Sequence, residues 1–294
     1  MTKIPSTNSH KLRAEPRERT PWGDIMKAFV SMLLLQWSLA VGPTFAQAYP
    51  PNEAGVTMGH WHLNSQQVEA NKKLFVALGG TAIKPGDFEI VRFPGVAVFL
   101  HQGPGTPPPA GGTEGTVINH VGFIVPNVAV AVAKWKAAGV AVAPGNEGRT
   151  DQAWIMTGEG LKVEILEDKS QTIPIQHHHL HFFVAESVIP EMQAWYAKHF
   201  GAKPGKRGRN QAADVPGANL TFTKSDKPTI PTRGRHLDHV GFDVKDLVAF
   251  AKKLEAAGVP LEGRIVARPD GSKLAFIKDP WGTRIELNER AKPL

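Results

Sequence analysis

A fourfold internal repeat constrains the fold of this 294-residue chain more than any other feature. The segment His-Val-Gly-Phe begins at His120 and again at His239, and each copy leads into a helix-like segment that ends in Ala-Ala-Gly-Val. Two weaker copies begin at His60 and His179. His60 and His120 are 60 residues apart, as are His179 and His239. The chain is therefore predicted to be a duplicated pair of similar but distinct modules.

The clear copies place polar residues on the face opposite their apolar neighbours. Successive side chains of a strand point to opposite faces, so His239 lies opposite the valine and phenylalanine residues around it. Glu286 likewise lies opposite its apolar neighbours near the end of the chain. An imidazole and a carboxylate on two strands of one sheet could bind a cation. The alternative is that Glu286 pairs with Arg284 on a solvated face and the histidine makes a single hydrogen bond.

The motifs resemble those of a known family. The His-Val-Gly-Phe start, the Ala-Ala-Gly-Val helix end and the finish Asp-Pro-Trp-Gly-x-x-Ile-Glu-Leu are similar to the vicinal oxygen chelate superfamily. That superfamily includes glyoxalase I, extradiol dioxygenases, fosfomycin-resistance proteins and bleomycin-binding proteins. The resemblance covers about residues 58–288. It implies an α+β fold of four βαβββ modules, paired into two open, barrel-like domains.

The resemblance and the Gly/Pro punctuation together predict the domain limits. Consecutive modules are expected to pair, with residues 169–175 as the linker between the domains and the Gly/Pro-rich loop after residue 102 inside the first. The predicted divisions are a mature N-terminal segment 49–57, a first domain 58–168 (modules 58–102 and 117–168), a second domain 176–288 (modules 176–223 and 237–288) and a tail 289–294. Modules exchange between chains in some relatives, so pairing within a homodimer stays open.

Each predicted domain supplies two imidazoles and one carboxylate. The candidate metal ligands are His60, His120 and Glu164 in the first domain and His179, His239 and Glu286 in the second. Such a set leaves coordination positions open for a substrate that binds through adjacent oxygens. The resemblance implies a divalent ion, which could be Fe(II), Mn, Zn, Ni or Co.

Departures from the family patterns leave the reaction open. Glyoxalase I uses a fourth protein ligand at the end of the first module of a pair, where this chain has Phe99 or Thr221. Extradiol dioxygenases use a tyrosine on the strand before the glutamate, where this chain has Trp154 and Phe276. Lyase or isomerase chemistry and dioxygenase chemistry are both retained as hypotheses.

Three further histidines are candidate catalytic residues. His62 and His181 lie two residues beyond His60 and His179, hence on the same strand face, and could be general bases or secondary ligands. A shift of register by two residues would make them the ligands themselves. His101 could reach the mouth of the first site. The alternative for each is a hydrogen-bonded or surface histidine.

Residues 1–48 differ from the modules. A basic stretch precedes an apolar run at 28–45 and the sequence Ala46-Gln47-Ala48, an order typical of a secretory signal, with Met26 as a possible start. An N-terminal membrane anchor is the alternative, but polar residues and a proline interrupt the apolar run. The chain contains no cysteine, which excludes a disulfide and a lipoprotein anchor. We expect a secreted or periplasmic protein with no membrane partner after cleavage.

The sequence therefore predicts an exported metalloprotein that acts on a small molecule with adjacent chelating oxygens. A non-catalytic protein that binds or sequesters a small molecule, like the bleomycin-binding relatives, is the alternative. The formal charge of +7 includes the basic leader, and the remaining cations do not favour a nucleic-acid partner.

Overall fold

The computed structural model describes residues 49–101 and 106–292. The predicted export signal lies outside the described residues. Within the described part of the chain, no helix is long and apolar enough to span a membrane.

Each repeat is a strand, a helix and three further strands. Module 1 contains β1 (Val56–Asn64), α1 (Val68–Leu78), β2 (Thr81–Ile83), β3 (Glu89–Phe93) and β4 (Val96–His101). Module 2 contains β5 (Ile118–Val125), α2 (Val128–Ala137), β6 (Ala143–Pro144), β7 (Gln152–Met156) and β8 (Lys162–Glu167). Module 3 contains β9 (Gln176–Val184), α3 (Ile189–Phe200), β10 (Lys203–Arg207), β11 (Asn210–Val215) and β12 (Ala218–Lys224). Module 4 contains β13 (Leu237–Val244), α4 (Leu247–Ala256), β14 (Val266–Ala267), β15 (Lys273–Lys278) and β16 (Arg284–Glu289).

Local chemistry sets the limits of the helices. The side chains of Asn127 and Asp246 accept hydrogen bonds from backbone N–H groups in the first turns of α2 and α4. Gly79 and Gly201 end α1 and α3 in the left-handed conformation, with φ of 116° and 64°, which favours glycine. The predicted α+β class, with four βαβββ modules in paired units, is confirmed.

The strands of the described residues form two eight-stranded sheets. The terminal sheet joins the first and last modules in the order β14-β15-β16-β13-β1-β4-β3-β2. The central sheet joins the two middle modules in the order β10-β11-β12-β9-β5-β8-β7-β6. In each sheet the first strands of the two modules pair antiparallel, β1 with β13 and β5 with β9.

The predicted pairing of consecutive modules is therefore wrong. Module 1 shares its sheet with module 4, and module 2 shares its sheet with module 3, so residues 169–175 connect two modules of one sheet. The repeat spacing could not decide this, because modules 1 and 3 resemble each other, as do modules 2 and 4. Either arrangement gives the first strand of each module an antiparallel neighbour.

One hydrophobic core joins the two sheets. Trp61 of the terminal sheet packs against Phe123 of the central sheet, with ring centroids 5.3 Å apart, and both side chains are fully buried. Burial of each such side chain stabilises the fold by roughly 1.5–3 kcal/mol. Because side chains alternate along β1, the strand that buries Trp61 in the core directs His60 and His62 to its other face. The core thus fixes which residues can form a site.

The Asp-Pro-Trp-Gly sequence forms a buried turn that contacts module 3. Asp279 accepts hydrogen bonds from the backbone N–H groups of Trp281 and Thr283, at 3.0 and 2.7 Å. Its other carboxylate oxygen accepts a hydrogen bond from the hydroxyl of Tyr196 in α3, at 2.9 Å. This motif therefore helps to hold the two sheets together and lies apart from the histidines.

Candidate metal centres

Strand register brings the candidate ligands of the terminal sheet together. His60 lies opposite Gly241 in the β1–β13 ladder, and His62 lies opposite His239. Gly241 is also beside Glu286 in the β13–β16 ladder. A Cβ atom at Gly241 would overlap the imidazole ring of His60, so glycine provides the space that this ring occupies.

The central sheet repeats this arrangement. His179 lies opposite Gly122, and His181 lies opposite His120. Glu164 is beside Gly122 on the next strand, and a Cβ at that glycine would overlap the ring of His179. The glycine of His-Val-Gly-Phe is therefore required by the histidine of the partner module.

In the terminal site, one carboxylate oxygen faces two imidazoles. Oε2 of Glu286 lies 2.9 Å from Nε2 of His239 and 3.5 Å from Nε2 of His60, and all three side chains are buried. The ring of His62 lies over that of His239, with centroids 4.4 Å apart. One possible donor atom from each of these four residues lies within 4.8 Å of the others.

Asp238 orients one of these imidazoles. Its Oδ1 accepts a hydrogen bond from Nδ1 of His239 at 2.6 Å, which leaves Nε2 directed at Glu286. Arg284 donates to the same carboxylate oxygen at 2.8 Å. Metal-binding histidines commonly donate their second ring N–H to a carboxylate in this way.

Charges and burial oppose each other in the terminal site. Burial lowers the pKa of His239, but the hydrogen bonds to Asp238 and Glu286 outweigh it, so this pKa is raised. Burial would raise the pKa of Glu286, yet the adjacent His239 and His60 hold it well below its usual range. Burial lowers the pKa of His60. The glutamate is therefore ionised, as a metal ligand must be.

The central site contains the same donor types. Oε2 of Glu164 lies 3.0 Å from Nε2 of His179 and 3.5 Å from Nε2 of His120, and Gln152 donates to the other carboxylate oxygen. Nδ1 of His181 lies 2.9 Å from Nε2 of His120. One possible donor atom from each of the three imidazoles and the glutamate again lies within 4.8 Å of the others.

The surroundings of the central site differ in two residues. Oδ1 of Asn119, a neutral amide, accepts from Nδ1 of His120 at 2.9 Å where the terminal site has Asp238. The guanidinium of Arg207 lies 3.7 Å from Oε2 of Glu164 and within 3.2 Å of Nδ1 of His179. Positive charge therefore already lies beside the carboxylate oxygen that faces the imidazoles.

These surroundings affect the titration of the central histidines. Burial lowers the pKa of His120, and the neighbouring Glu164 only partly offsets this. Burial, with His120 and Arg207 nearby, lowers the pKa of His181 to about 2. Burial would raise the pKa of Glu164, but His120 and His179 lower it. The central imidazoles are therefore neutral and the carboxylate ionised at pH 7.

Both groups fit a divalent cation. Among the described residues, Nε2 of His60, Nε2 of His179 and Oε2 of Glu164 are buried without a hydrogen-bond partner. Unpaired buried polar atoms are costly unless something else satisfies them. Imidazole nitrogens and one carboxylate suit Fe, Co, Ni or Zn, and three neighbouring strands with one glycine already hold them in place.

The structure groups the six predicted metal ligands differently from the prediction. All six predicted ligands lie in the two groups, but His120 and Glu164 lie with His179, not with His60. Their grouping by consecutive modules is therefore wrong, because the sheets pair other modules.

The predicted catalytic residues lie in different places. His62 and His181 belong to the groups themselves, while His101 lies outside, its ring centroid 6.1 Å from that of His62 and 5.1 Å from that of Phe88. Their catalytic roles stay predictions. Sequence reasoning missed Arg207, although the basic cluster at 203–209 in which it lies was visible.

A cavity of about 810 Å³ opens at the central site. Its walls include His120, Glu164 and His181 together with the aromatic rings of Trp154 and Phe183. Its basic lining residues are Arg149, Lys162, Arg207 and Arg209. The acidic residues Glu164, Glu167 and Asp168 also line the cavity, which is large enough for a small molecule.

Part of the sequence matches a known family model. Residues 177–287 match the model of the Glyoxalase/Bleomycin resistance protein/Dioxygenase superfamily. The matched segment contains module 3 and most of module 4, including His179, His239 and Glu286. No curated protein matches the chain in sequence.

Solved structures share the fold over most of the chain. A glyoxalase I mutant from Zea mays aligns over 80% of this chain and 92% of its own, at 16% identity and a TM-score of 0.61. The glyoxalase I structure from Zea mays aligns over the same shares, at 15% identity and a TM-score of 0.60. A putative dioxygenase from Bacillus subtilis aligns over 84% of this chain and 87% of its own, at 14% identity and a TM-score of 0.58. At these identities the likeness concerns the fold.

Proposed function

We propose that this chain, a member of the Glyoxalase/Bleomycin resistance protein/Dioxygenase superfamily, is an exported metalloprotein that acts on a small molecule with adjacent chelating oxygens. The predicted resemblance to the vicinal oxygen chelate superfamily is confirmed by the family match and the shared fold. Metal binding, export and the type of reaction are what we propose beyond this family resemblance. The reaction class is a lyase, an isomerase or a dioxygenase.

The duplicated donor group carries this proposal. Two sets of three imidazoles and one glutamate occur at corresponding places in two sheets, each with donor atoms within 4.8 Å. A lone buried histidine is commonly satisfied by one hydrogen bond. Two such sets, each with unpaired buried donor atoms, are better explained by selection for cation binding.

The residues that would hold the ion are His60, His239 and Glu286 in the terminal site and His120, His179 and Glu164 in the central site. A bound divalent ion supplies a Lewis acid that polarises the chelating oxygens of the substrate. Asp238 keeps the proton of His239 on Nδ1, on the side away from Glu286. Phe276 and Phe99 contact His239 and His60 with ring centroids 5.1 and 4.7 Å apart, and so limit water around these imidazoles.

A binding function without chemistry is the second candidate, and Arg207 favours it for the central site. Its guanidinium lies 3.7 Å from the carboxylate oxygen that an ion would need. It also lines the cavity, where it can donate hydrogen bonds to a carboxylate or a phosphate. The central site then binds an anionic molecule while the terminal site holds the metal.

Export is proposed from the leader sequence alone. N-terminal sequencing of the protein from the exported fraction tests it, and we expect a mature chain that begins after Ala48. Recovery of the uncleaved chain from the cytoplasm would contradict export. That result would leave the metal proposal untouched.

Metal content tests the central part of the proposal. Untagged protein is purified and its metals are counted by mass spectrometry, alongside Glu286→Ala and Glu164→Ala. We expect each variant to lose metal from its own site. Glu89→Ala is the matched control, because Glu89 lies in the terminal sheet but pairs with Lys72 and Lys84. A native protein without metal, with no uptake on reconstitution, would overturn the enzyme proposal.

A further inference from the structure

Modules 1 and 3 differ from modules 2 and 4 in the same two positions. In modules 2 and 4, the residue two positions after the first histidine is glycine, and glutamate lies beside it on the last strand. In modules 1 and 3 the same two places hold other residues. His62 lies beside Phe99 in the β1–β4 ladder, and His181 lies beside Thr221 in the β9–β12 ladder.

Neither Phe99 nor Thr221 can complete a donor set. A phenyl ring has no donor atom, and Phe99 packs instead against the ring of His60. The hydroxyl of Thr221 donates to Oδ1 of Asn219 at 2.5 Å. In both sites, the position where a second carboxylate would lie therefore offers no metal donor. The adjacent strand carries an imidazole beside it, that of His62 or His181.

We infer that His62 and His181 are fourth protein donors to the metal ions, each in place of a second carboxylate. The inference rests on the proposed metal function and deepens it. Both side chains share a strand face with His60 or His179, and both lie inside the donor groups.

The contacts of His181 support a donor role for its Nδ1. Nε2 of His181 lies 2.7 Å from the hydroxyl of Thr223, and Arg207, which can only donate, lies 3.1 Å from Nδ1. Nδ1 therefore carries a lone pair. Nε2 of His120 carries one as well in the tautomer whose Nδ1 donates to Oδ1 of Asn119.

In that tautomer the two lone pairs face each other, with 2.9 Å between the nitrogens. Arg207 supplies positive charge there, 3.1 Å from Nδ1 of His181, and a metal ion bound between the two nitrogens would take that place. His62 takes the equivalent place in the terminal site, between the rings of His239 and Phe99, with centroids 4.4 and 6.0 Å away.

This donor set has a consequence for the ligand. Three neutral imidazoles and one carboxylate leave a divalent ion with one net positive charge, whereas two carboxylates would cancel it. The sites therefore favour chelators that are themselves anionic, such as molecules with a carboxylate beside a hydroxyl or keto oxygen. Imidazole-rich sets also favour Co, Ni and Zn over Mg and Mn.

Cobalt binding tests the inference without any assay of activity. Co(II) is added to the metal-free full-length chain, and the affinity and visible absorption spectrum are measured for wild type, His62→Ala and His181→Ala. We expect each variant to lower the Co(II) affinity of its own site at least about tenfold and to change the spectrum. Loss of a residue that only hydrogen-bonds to a metal ligand already has an effect of this size. His62→Gln and His181→Gln keep more of the side-chain volume and guard against misfolding.

His199→Ala is the matched control, since His199 lies in α3 against Trp195 and belongs to neither donor group. We expect it to keep the wild-type affinity and spectrum. If the glutamate variants lose Co(II) while the His62 and His181 variants keep wild-type affinity and spectrum, the inference is overturned and the proposed function stands. If Glu164→Ala and Glu286→Ala also bind Co(II) like wild type, the proposed metal function itself fails.

Discussion

The terminal and central sites share their donors but differ in what surrounds them. In the terminal site a carboxylate, Asp238, accepts from the imidazole of His239, whereas in the central site the amide of Asn119 accepts from His120. Arg207 adds a guanidinium beside the central glutamate. The two sites thus have the same donors in different charged surroundings. If the proposed function holds, the terminal site should hold a metal more tightly and the central site should favour an anion.

The largest expected effect comes from the glycines that both sites require. Gly241→Ala and Gly122→Ala place a methyl group inside an imidazole ring, so each variant should lose metal from its own site and about 1–3 kcal/mol of unfolding free energy. Metal counting and thermal unfolding check this. Gly205→Ala is the control, because no atom of the described residues, its chain neighbours apart, lies within 4 Å of a Cβ built there. Retained metal in both variants would contradict the proposed geometry.

Asp238 and Asn119 accept hydrogen bonds from the ligand imidazoles, so exchanging their side-chain types should reverse the difference in metal affinity between the two sites. Asp238→Asn removes the carboxylate that supports His239 and should weaken the terminal site about 10–100-fold. Asn119→Asp should strengthen the central site. Titration of each variant with Co(II) measures both effects. If wild type and both variants bind Co(II) equally well, the residue before the ligand histidine does not set the difference in affinity between the sites.

Removal of Arg207 should raise the metal affinity of the central site. The lost charge lies 3.7 Å from Glu164, so a gain of roughly tenfold is a fraction of the Coulomb energy at that distance. Arg209→Ala, which removes a neighbouring charge on the cavity wall, is the control. A loss of metal from Arg207→Ala would instead make this arginine a structural support of the site.

The smallest effect is a pH dependence of the metal-free terminal site. The raised pKa of His239 contributes stability that is present below the ordinary value of 6.5 and is lost as pH rises through the raised pKa. The lowered pKa of Asp238 contributes stability that is present at pH values above the ordinary pKa of 3.8. Asp238→Asn should therefore destabilise most near pH 5, on the order of 1 kcal/mol, and less at pH 8. Urea unfolding at both values measures this, and an effect that grows towards pH 8 would contradict it.

The repeat predicted most of the fold but not the partners in each sheet. Alternation in β1 and β13 predicted which side chains leave the core, and the six ligand residues follow from that. The partner modules depend on long-range strand pairing, which local patterns do not contain. One signal was present: Gly122 and Gly241 fit only if a large side chain of another strand needs their space.

The details around the donors were harder to predict. His62 and His181 were placed on the correct face from their spacing, whereas Arg207 reaches the central site through a hairpin whose course the sequence does not specify. Asp238 and Asn119 precede the ligand histidines in identical motifs, and the charge difference between them was visible. Only the fold shows that each side chain turns back to its neighbouring imidazole.

Metal counting in double variants tests most directly which residues share an ion. His60→Ala combined with Glu286→Ala removes two donors of one site, so this protein should lose the terminal ion and keep the central one. His60→Ala combined with Glu164→Ala should lose both ions, because its donors belong to different sites. The opposite pattern, with one ion kept by His60→Ala/Glu164→Ala and none by His60→Ala/Glu286→Ala, would contradict the pairing of module 1 with module 4.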